Sequence, residues 1–226
     1  YQLGSISGIK YHDLNADGDQ DDGELGLTDW TIYVDANGND AFDVGEASAV
    51  SAGADGAWTI SGLMPSDTPY VVREVLQTDW FNSDPGGAPA AQEISVTVSS
   101  GEDDSGHKFG NYQLGSISGI KYHDLNADGD QDVGENGLDG WTIYLDINND
   151  NVLDAGDITT VTAGGGLWSF ADILAGDYTV REVVQTDWFQ SDPGAPDFEL
   201  AVTVVADEDT GGHKFGNYQL GSISGI

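Results

Sequence analysis

The stretch Asp13–Glu24, DLNADGDQDDGE, carries an oxygen-bearing side chain at almost every second position. Asp13, Asn15 and Asp17 stand at loop positions 1, 3 and 5, Gly18 at 6, Asp19 at 7, Asp21 at 9 and Glu24 at 12. This is the D-x-[DN]-x-[DN]-G-x5-E spacing of a calcium loop. A hard divalent cation takes six to eight oxygens at roughly 2.3–2.6 Å. Alternate residues of a tight coil aim Asp13, Asn15 and Asp17 at one centre, and Gly18 allows the sharp turn. Asp19 offers its carbonyl, Asp21 binds directly or through water, and Glu24 closes the shell with both oxygens. Without a cation, so many crowded carboxylates repel one another.

The pattern recurs. Asp124, Asn126, Asp128, Asp130, Asp132 and Glu135 reproduce the first loop, with Val133 in place of Asp22, so position 10 is not a ligand. A second loop type holds Asp35, Asn37, Asn39, Asp43 and Glu46, and its copy holds Asp146, Asn148, Asp150, Asp154 and Asp157. Position 6 there is Asp40 or Asn151, types that tolerate a left-handed backbone. The flanks alternate with period two, so these are EF-hand-like loops set between strands, with calcium as the cofactor. A structural ion fits that setting better than a sensor, and extracellular modules bind calcium at about 10⁻⁴–10⁻³ M.

A second chemistry is suggested by Tyr178-Thr-Val-Arg-Glu182 and its match, Tyr70, Val72 and Glu74. Alternation puts each Glu on the apolar face, where a carboxylate costs several kcal/mol unless paired or protonated. Each module offers three cations: Lys10, Arg73 and Lys108, then Lys121, Arg181 and Lys214. In the last strand Asn111 shares the face of Phe109, and Asn217 that of Phe215. With Ile9 and Tyr11 inward, Lys10 would lie on the surface and the Glu would be held by hydrogen bonds or a salt bridge.

The elements that position these groups repeat. YQLGSISGI occurs at Tyr1, Tyr112 and Tyr218. The expected domains are residues 1–111, residues 112–217 and the opening strand of a third module at 218–226, an excerpt of a longer array. Seven strands are expected in the first module, at 4–12, 30–35, 47–51, 57–61, 70–76, 92–99 and 107–111. The fold class is all-β: tandem immunoglobulin-like sandwiches, lacking the Cys…Trp…Cys signature. The short link between modules restricts their relative angle and suggests a stiff array.

Composition excludes several roles. Net charge is −34 with only six Lys plus Arg, against nucleic acid or an anionic membrane as partner. Hydrophobic residues at 38% still permit a core. Cysteine is absent, which removes disulfides and thiolate chemistry. No apolar run reaches the ~18 residues of a membrane span. His12, His107, His123 and His213 fit sheet surfaces, and Trp58, Trp80, Trp168 and Trp188 fit packing. The remaining acidic clusters, such as Asp79 with Asp84 and Glu102-Asp103-Asp104, fit solvated turns. No carboxylate pair stands apart from the loops as a glycosidase pair would, so no enzyme is expected.

The series G-I-K-Y-x-D-x-N-x-D-G-D-x-D-x-G-E, G-L-x-x-W-x-I-Y-x-D, Y-x-V-x-E-V and F-G-N resembles the B-type repeats of bacterial surface adhesins. The calcium loops resemble the SdrD-like branch and the Y-x-V-x-E element the collagen-adhesin (Cna-B) branch. The resemblance implies a calcium-binding immunoglobulin-like stalk or spacer on a cell surface. It also implies an internal isopeptide bond joining Lys10 to Asn111 beside Glu74, and Lys121 to Asn217 beside Glu182. The expected function is thus a calcium-rigidified extracellular stalk, filament or matrix fibre. Its partners would be neighbouring repeats and other copies in a filament, with the Leu220–Ile226 strand able to complete another chain's sandwich. The alternative is an adhesin whose modules grip a protein or glycan.

Overall fold

The computed structural model describes residues 1–86 and 92–225. The chain divides into two compact units, Tyr1–Gln113 and Leu114–Ile226. Each is an all-β sandwich, and no helix occurs among the described residues.

In the first unit the strands are β1 (Gly4–His12), β2 (Thr31–Val34), β3 (Ser48–Val50), β4 (Ala57–Leu63), β5 (Ser66–Glu74), β6 (Phe81–Asp84), β7 (Ile94–Val98) and β8 (Asp103–Tyr112). One sheet has the order β4-β1-β8-β6 and the other β3-β2-β5-β7. The second unit repeats both sheets with β9 (Gly115–His123), β10 (Thr142–Leu145), β11 (Ile158–Val161), β12 (Leu167–Ile173), β13 (Gly176–Glu182), β14 (Phe189–Asp192), β15 (Leu200–Val204) and β16 (Asp209–Tyr218).

Among the described residues there are eight strands per unit where alternation suggested seven. The extra strand, FNSD or FQSD, is four residues long, has no apolar alternation, and among the described residues pairs with the last strand alone. Residues 219–225 repeat the start of β9 yet form no strand. A strand of this sequence is held by ladders on both sides, as β9 is by β12 and β16. Ile226, the last residue of the expected third module, lies outside the described residues.

The core fills the space between the sheets. Ile6, Trp58, Ile60 and Phe109 come from one sheet, and Ile32, Val34, Val72, Val96 and Val98 from the other. Period two in β1 puts Ile6, Gly8 and Lys10 on this inner face. At Gly8 a Cβ would lie 2.0 Å from the His107 carbonyl oxygen and 2.7 Å from the Trp58 ring, so the close approach of β1 to β8 and Trp58 requires glycine.

First and last strands run parallel and adjacent, with Lys10 opposite Phe109 and His12 opposite Asn111. The chain therefore enters and leaves each sandwich through neighbouring strands. The fully buried Ile32 lies in the opposing sheet, and truncating it leaves a cavity. Ile32→Ala should cost about 2–5 kcal/mol, read as an earlier denaturant transition for the first repeat alone. An unshifted transition would contradict the packing described.

Candidate functional site

Lys10 is 0% exposed although it is a lysine in a chain with net charge −34. Its Nζ donates to Asn111 Oδ1 in a very short contact and to the Phe109 carbonyl oxygen at 3.1 Å. Glu74 Oε2 lies 3.3 Å from the same nitrogen. In the second repeat Lys121 Nζ contacts Asn217 Oδ1 equally closely and lies 2.9 Å from Glu182 Oε2. Both lysines and both asparagines are fully buried. The six residues named from the sequence thus form two identical triads, each joining β1 to β5 and β8, or β9 to β13 and β16. Tyr11 is buried as well, on the outer face of β1, where its ring lies over Gly110 and a Cβ would come within 2.4 Å of it. The inward register of Lys10 and the burial of Tyr11 are therefore compatible.

The amine sits over the face of Trp30 at 4.3 Å, and Lys121 over Trp141 at 4.5 Å. Burial lowers the amine to about 8 in both repeats, against the opposing pull of Glu74 or Glu182. Burial also raises the Glu182 carboxyl, and Lys121 opposes that rise. In the second repeat burial thus works against the charge on both partners, while their attraction for each other works for it. Asn111 Nδ2 is buried with no hydrogen-bond partner among the described residues.

The four acidic loops share one backbone pattern. The position 6 amide donates to the position 1 carboxylate: Gly18 to Asp13, Asp40 to Asp35, Gly129 to Asp124 and Asn151 to Asp146. The position 12 carboxylate accepts from positions 2 and 9: Glu24 from Leu14 and Asp21, Glu46 from Ala36 and Asp43, Glu135 from Leu125 and Asp132, Asp157 from Ile147 and Asp154. The oxygens of Asn15, Asn37, Asn126 and Asn148 accept from position 5. Those of Asp17, Asn39, Asp128 and Asp150 accept from position 7. Position 6 is left-handed in every loop, with φ of 84°, 61°, 85° and 66° in chain order.

The position 3 amide nitrogen also reaches position 9: Asn15 to Asp21, Asn37 to Asp43, Asn126 to Asp132 and Asn148 to Asp154. Positions 1, 3, 5, 9 and 12 are thereby drawn to one side of each loop, while Asp19 and Asp130 supply the position 7 amides. Asp13 Oδ1 is buried without a hydrogen-bond partner. No group of three or more His, Cys, Asp or Glu side chains among the described residues stands as a ready metal cluster. Each loop instead mixes carboxylates with Asn side chains.

The first loops are stitched to the triads. Asp13 N donates to the Asn111 carbonyl oxygen, His12 N to Leu25 O and Leu27 N to Lys10 O. Asp124, His123 and Leu138 repeat these bonds to Asn217, Asn136 and Lys121. The second loops are tied down by arginine instead. Arg73 lies 3.4 Å from Asp35 and 2.7 Å from Asp40, and Arg181 lies 3.0 Å from Asp146. Burial alone would raise Asp35, but backbone donors from Asp40, Gly38 and Asn39, with Arg73, hold it below the usual range.

Sequence reasoning missed these arginines and the tryptophans beneath the lysines. Their only signal was repetition, in VREV and in Trp30 and Trp141. Trp80 packs edge-on against Trp30 and His12, as Trp188 does against Trp141 and His123.

Removing one partner of a buried ion pair strands the other. Lys121→Met should cost about 3–5 kcal/mol at neutral pH. Lys121 opposes the rise that burial imposes on Glu182, so without it the carboxyl is raised further and binds more protons in the folded variant than in the folded parent. The variant's deficit relative to the parent should therefore shrink as pH falls from 7 toward 4.5. A pH-independent deficit, followed by denaturant titration, would contradict this arrangement.

Comparison with known proteins shows what the chain resembles. Residues 115–220 match the family described as SdrD B-like domain. The chain is 28% identical over 186 residues to serine-aspartate repeat-containing protein F of Staphylococcus epidermidis, covering 78% of this chain and 10% of that protein. It is 28% identical over 190 residues to serine-aspartate repeat-containing protein D of Staphylococcus aureus strain Newman, covering 80% of this chain and 13% of that protein. It thus spans about a tenth of the length of these relatives. Among solved structures, the Bacillus anthracis TIE protein aligns with TM-score 0.39 and 13% identity over 97% of this chain and 34% of its own. GBS52, the minor pilin of Streptococcus agalactiae, aligns with TM-score 0.37 and 14% identity over 98% of each chain. The resemblance to SdrD B-like repeats is shown by the match over the second repeat, whose motifs the first repeat carries in the same order.

Proposed function

We propose that this chain is a load-bearing spacer from an extracellular surface protein. Each immunoglobulin-like repeat is locked by an internal Lys–Asn isopeptide bond and stiffened by calcium in its acidic loops. One observation carries the reading: a fully buried lysine amine lies against a buried asparagine carboxamide and a glutamate, between the first and last strands of each repeat. Those strands are parallel neighbours, so tension applied through the two ends of a repeat shears one past the other. A covalent link between them carries that tension directly.

The chemistry follows from the residues present. Burial favours the neutral, nucleophilic amine of Lys10. Its Nζ attacks Asn111 Cγ, the Nζ–Cγ bond forms and the Cγ–Nδ2 bond breaks. Glu74, holding the proton that left the ammonium, gives it to Nδ2, which leaves as ammonia, and takes the second proton released by Nζ. Lys121, Glu182 and Asn217 do the same. A cleft of about 640 Å³ lined by Tyr33, Phe42, Arg73 and Glu74, and one of about 430 Å³ lined by Tyr144, Arg181 and Glu182, open beside the two glutamates.

The loop residues fit calcium in kind: carboxylates, Asn oxygens and a position 7 carbonyl, with one buried Asp13 oxygen lacking a donor. Bound calcium would neutralise the clustered carboxylates. Asp13, Asn15, Asp17, Asp19, Asp21 and Glu24 would hold it in the first loop, and the corresponding residues in the others. The resemblance to B-type repeats of bacterial surface adhesins supports a surface setting, and near-identical copies add length more directly than binding specificity. Neighbouring repeats, and further copies in a filament, are the partners this implies.

Intact mass of the folded chain should fall short by one ammonia per repeat. A full, unshifted mass removes the crosslink from this reading. Melting in chelator should be earlier than in millimolar calcium, by about 1.4 kcal/mol for each site at tenfold excess over Kd, and restored on adding calcium. Identical melting in both removes the ion.

A further inference from the structure

β1 and β9 have one sequence, β8 and β16 share HKFGNY, and β6 and β14 differ at a single residue. The first repeat has Asn82 where the second has Gln190. Asn82 Nδ2 donates to Glu74 Oε1 at 3.0 Å and to the Asp84 carbonyl oxygen at 3.1 Å. Gln190 is one methylene longer, and its Nε2 passes the carboxylate to donate to Pro193 O and Phe198 O, both at 3.2 Å. Glu182 Oε1 is accordingly buried with no bond from Gln190, and Lys121 and Asn217 are the side chains that favour its charged form.

We propose that residues 82 and 190 are positioning residues for crosslinking: Asn82 holds Glu74 as a carboxylate, and Gln190 leaves Glu182 free to take up a proton, so the second repeat closes its bond faster. This inference rests on the crosslink reading above. A hydrogen bond donated to a carboxylate stabilises the charged form. In the triad that keeps the pair as ammonium and carboxylate, and the ammonium has no lone pair with which to attack. In the second repeat the proton moves more readily from Lys121 to Glu182, which yields the nucleophile and the proton carrier together.

Most other charged groups recur in the two repeats; the exceptions are Asp13, which acts on Lys10 alone, and Asp40, which binds Arg73 and is replaced by Asn151. Lys10 faces Glu74, with Asp84 and Asp13 acting on it from β6 and the loop stem. Lys121 faces Glu182, with Asp192 acting on it from β14. Arg73 and Arg181 adjoin the glutamates in sequence but point to Asp35 and Glu93, and to Asp146 and Glu199.

The test is a time course of cell-free synthesis of the full chain at a series of pH values. Ammonia loss is assigned to each repeat by proteolysis and mass mapping. The second repeat should convert about tenfold faster, the ratio expected for one hydrogen bond to a charged group. The acid limb of its rate profile should lie at higher pH than that of the first repeat. Asn82→Gln should raise the first repeat's rate and shift its acid limb up, and Gln190→Asn should do the reverse in the second. Circular dichroism establishes that each variant folds, and the reciprocal pair keeps the test decisive should one fail.

Equal rates in the two repeats, or rates that change with no movement of the acid limb, overturn the positioning role alone. Ammonia loss from neither repeat overturns the crosslink reading and this inference with it.

Discussion

An amine sealed between the first and last strands sets the terms for the rest of each repeat. A charged lysine in a dry core is tolerated only beside an opposite charge, or with its proton removed. Glu74 and Glu182 supply the first condition, and burial favours the second. The sandwich is arranged around this enclosure. Phe109 lends its carbonyl to the amine while its ring fills the core, and Trp30 offers a π face to the same nitrogen. The parallel register of β1 with β8 sets Phe109 opposite Lys10 and Asn111 two residues further along the same face, within reach of the amine.

The acidic loops are joined to this enclosure through the backbone. The first loop leaves the strand three residues after Lys10, and its return segment pairs back onto that strand through Leu25 and Leu27. Asp13 begins the loop and also binds the Asn111 carbonyl through its own amide. Electrostatics at the loop therefore bear on the strand ends that carry the triad. The second loops sit on the opposite sheet, and there an arginine supplies positive charge to the position 1 carboxylate. That difference separates two loop types with nearly the same spacing.

Much of this was legible because the chain contains its own comparison. Twelve-residue acidic spacings, the alternation of Tyr70, Val72 and Glu74, and the shared face of Phe109 and Asn111 are visible as patterns in two copies. The strands FNSD and FQSD were not, because their pairing comes from the neighbouring last strand and not from their own residues. β1 was ambiguous for another reason. Its pattern allows either Lys10 or Tyr11 inside, and the structure buries both by covering the outer face with the Tyr11 ring against Gly110. Partners brought together by long-range register, such as Asn82 with Glu74, carry no local signal at all.

The most direct test follows the lysine nitrogens themselves. The chain has four lysines, Lys10, Lys108, Lys121 and Lys214. In protein labelled with ¹⁵N only at lysine Nζ, the account predicts two side-chain nitrogens with amide shifts, one attached proton each and no titration, and two that behave as ordinary amines. Four titrating amines would contradict it.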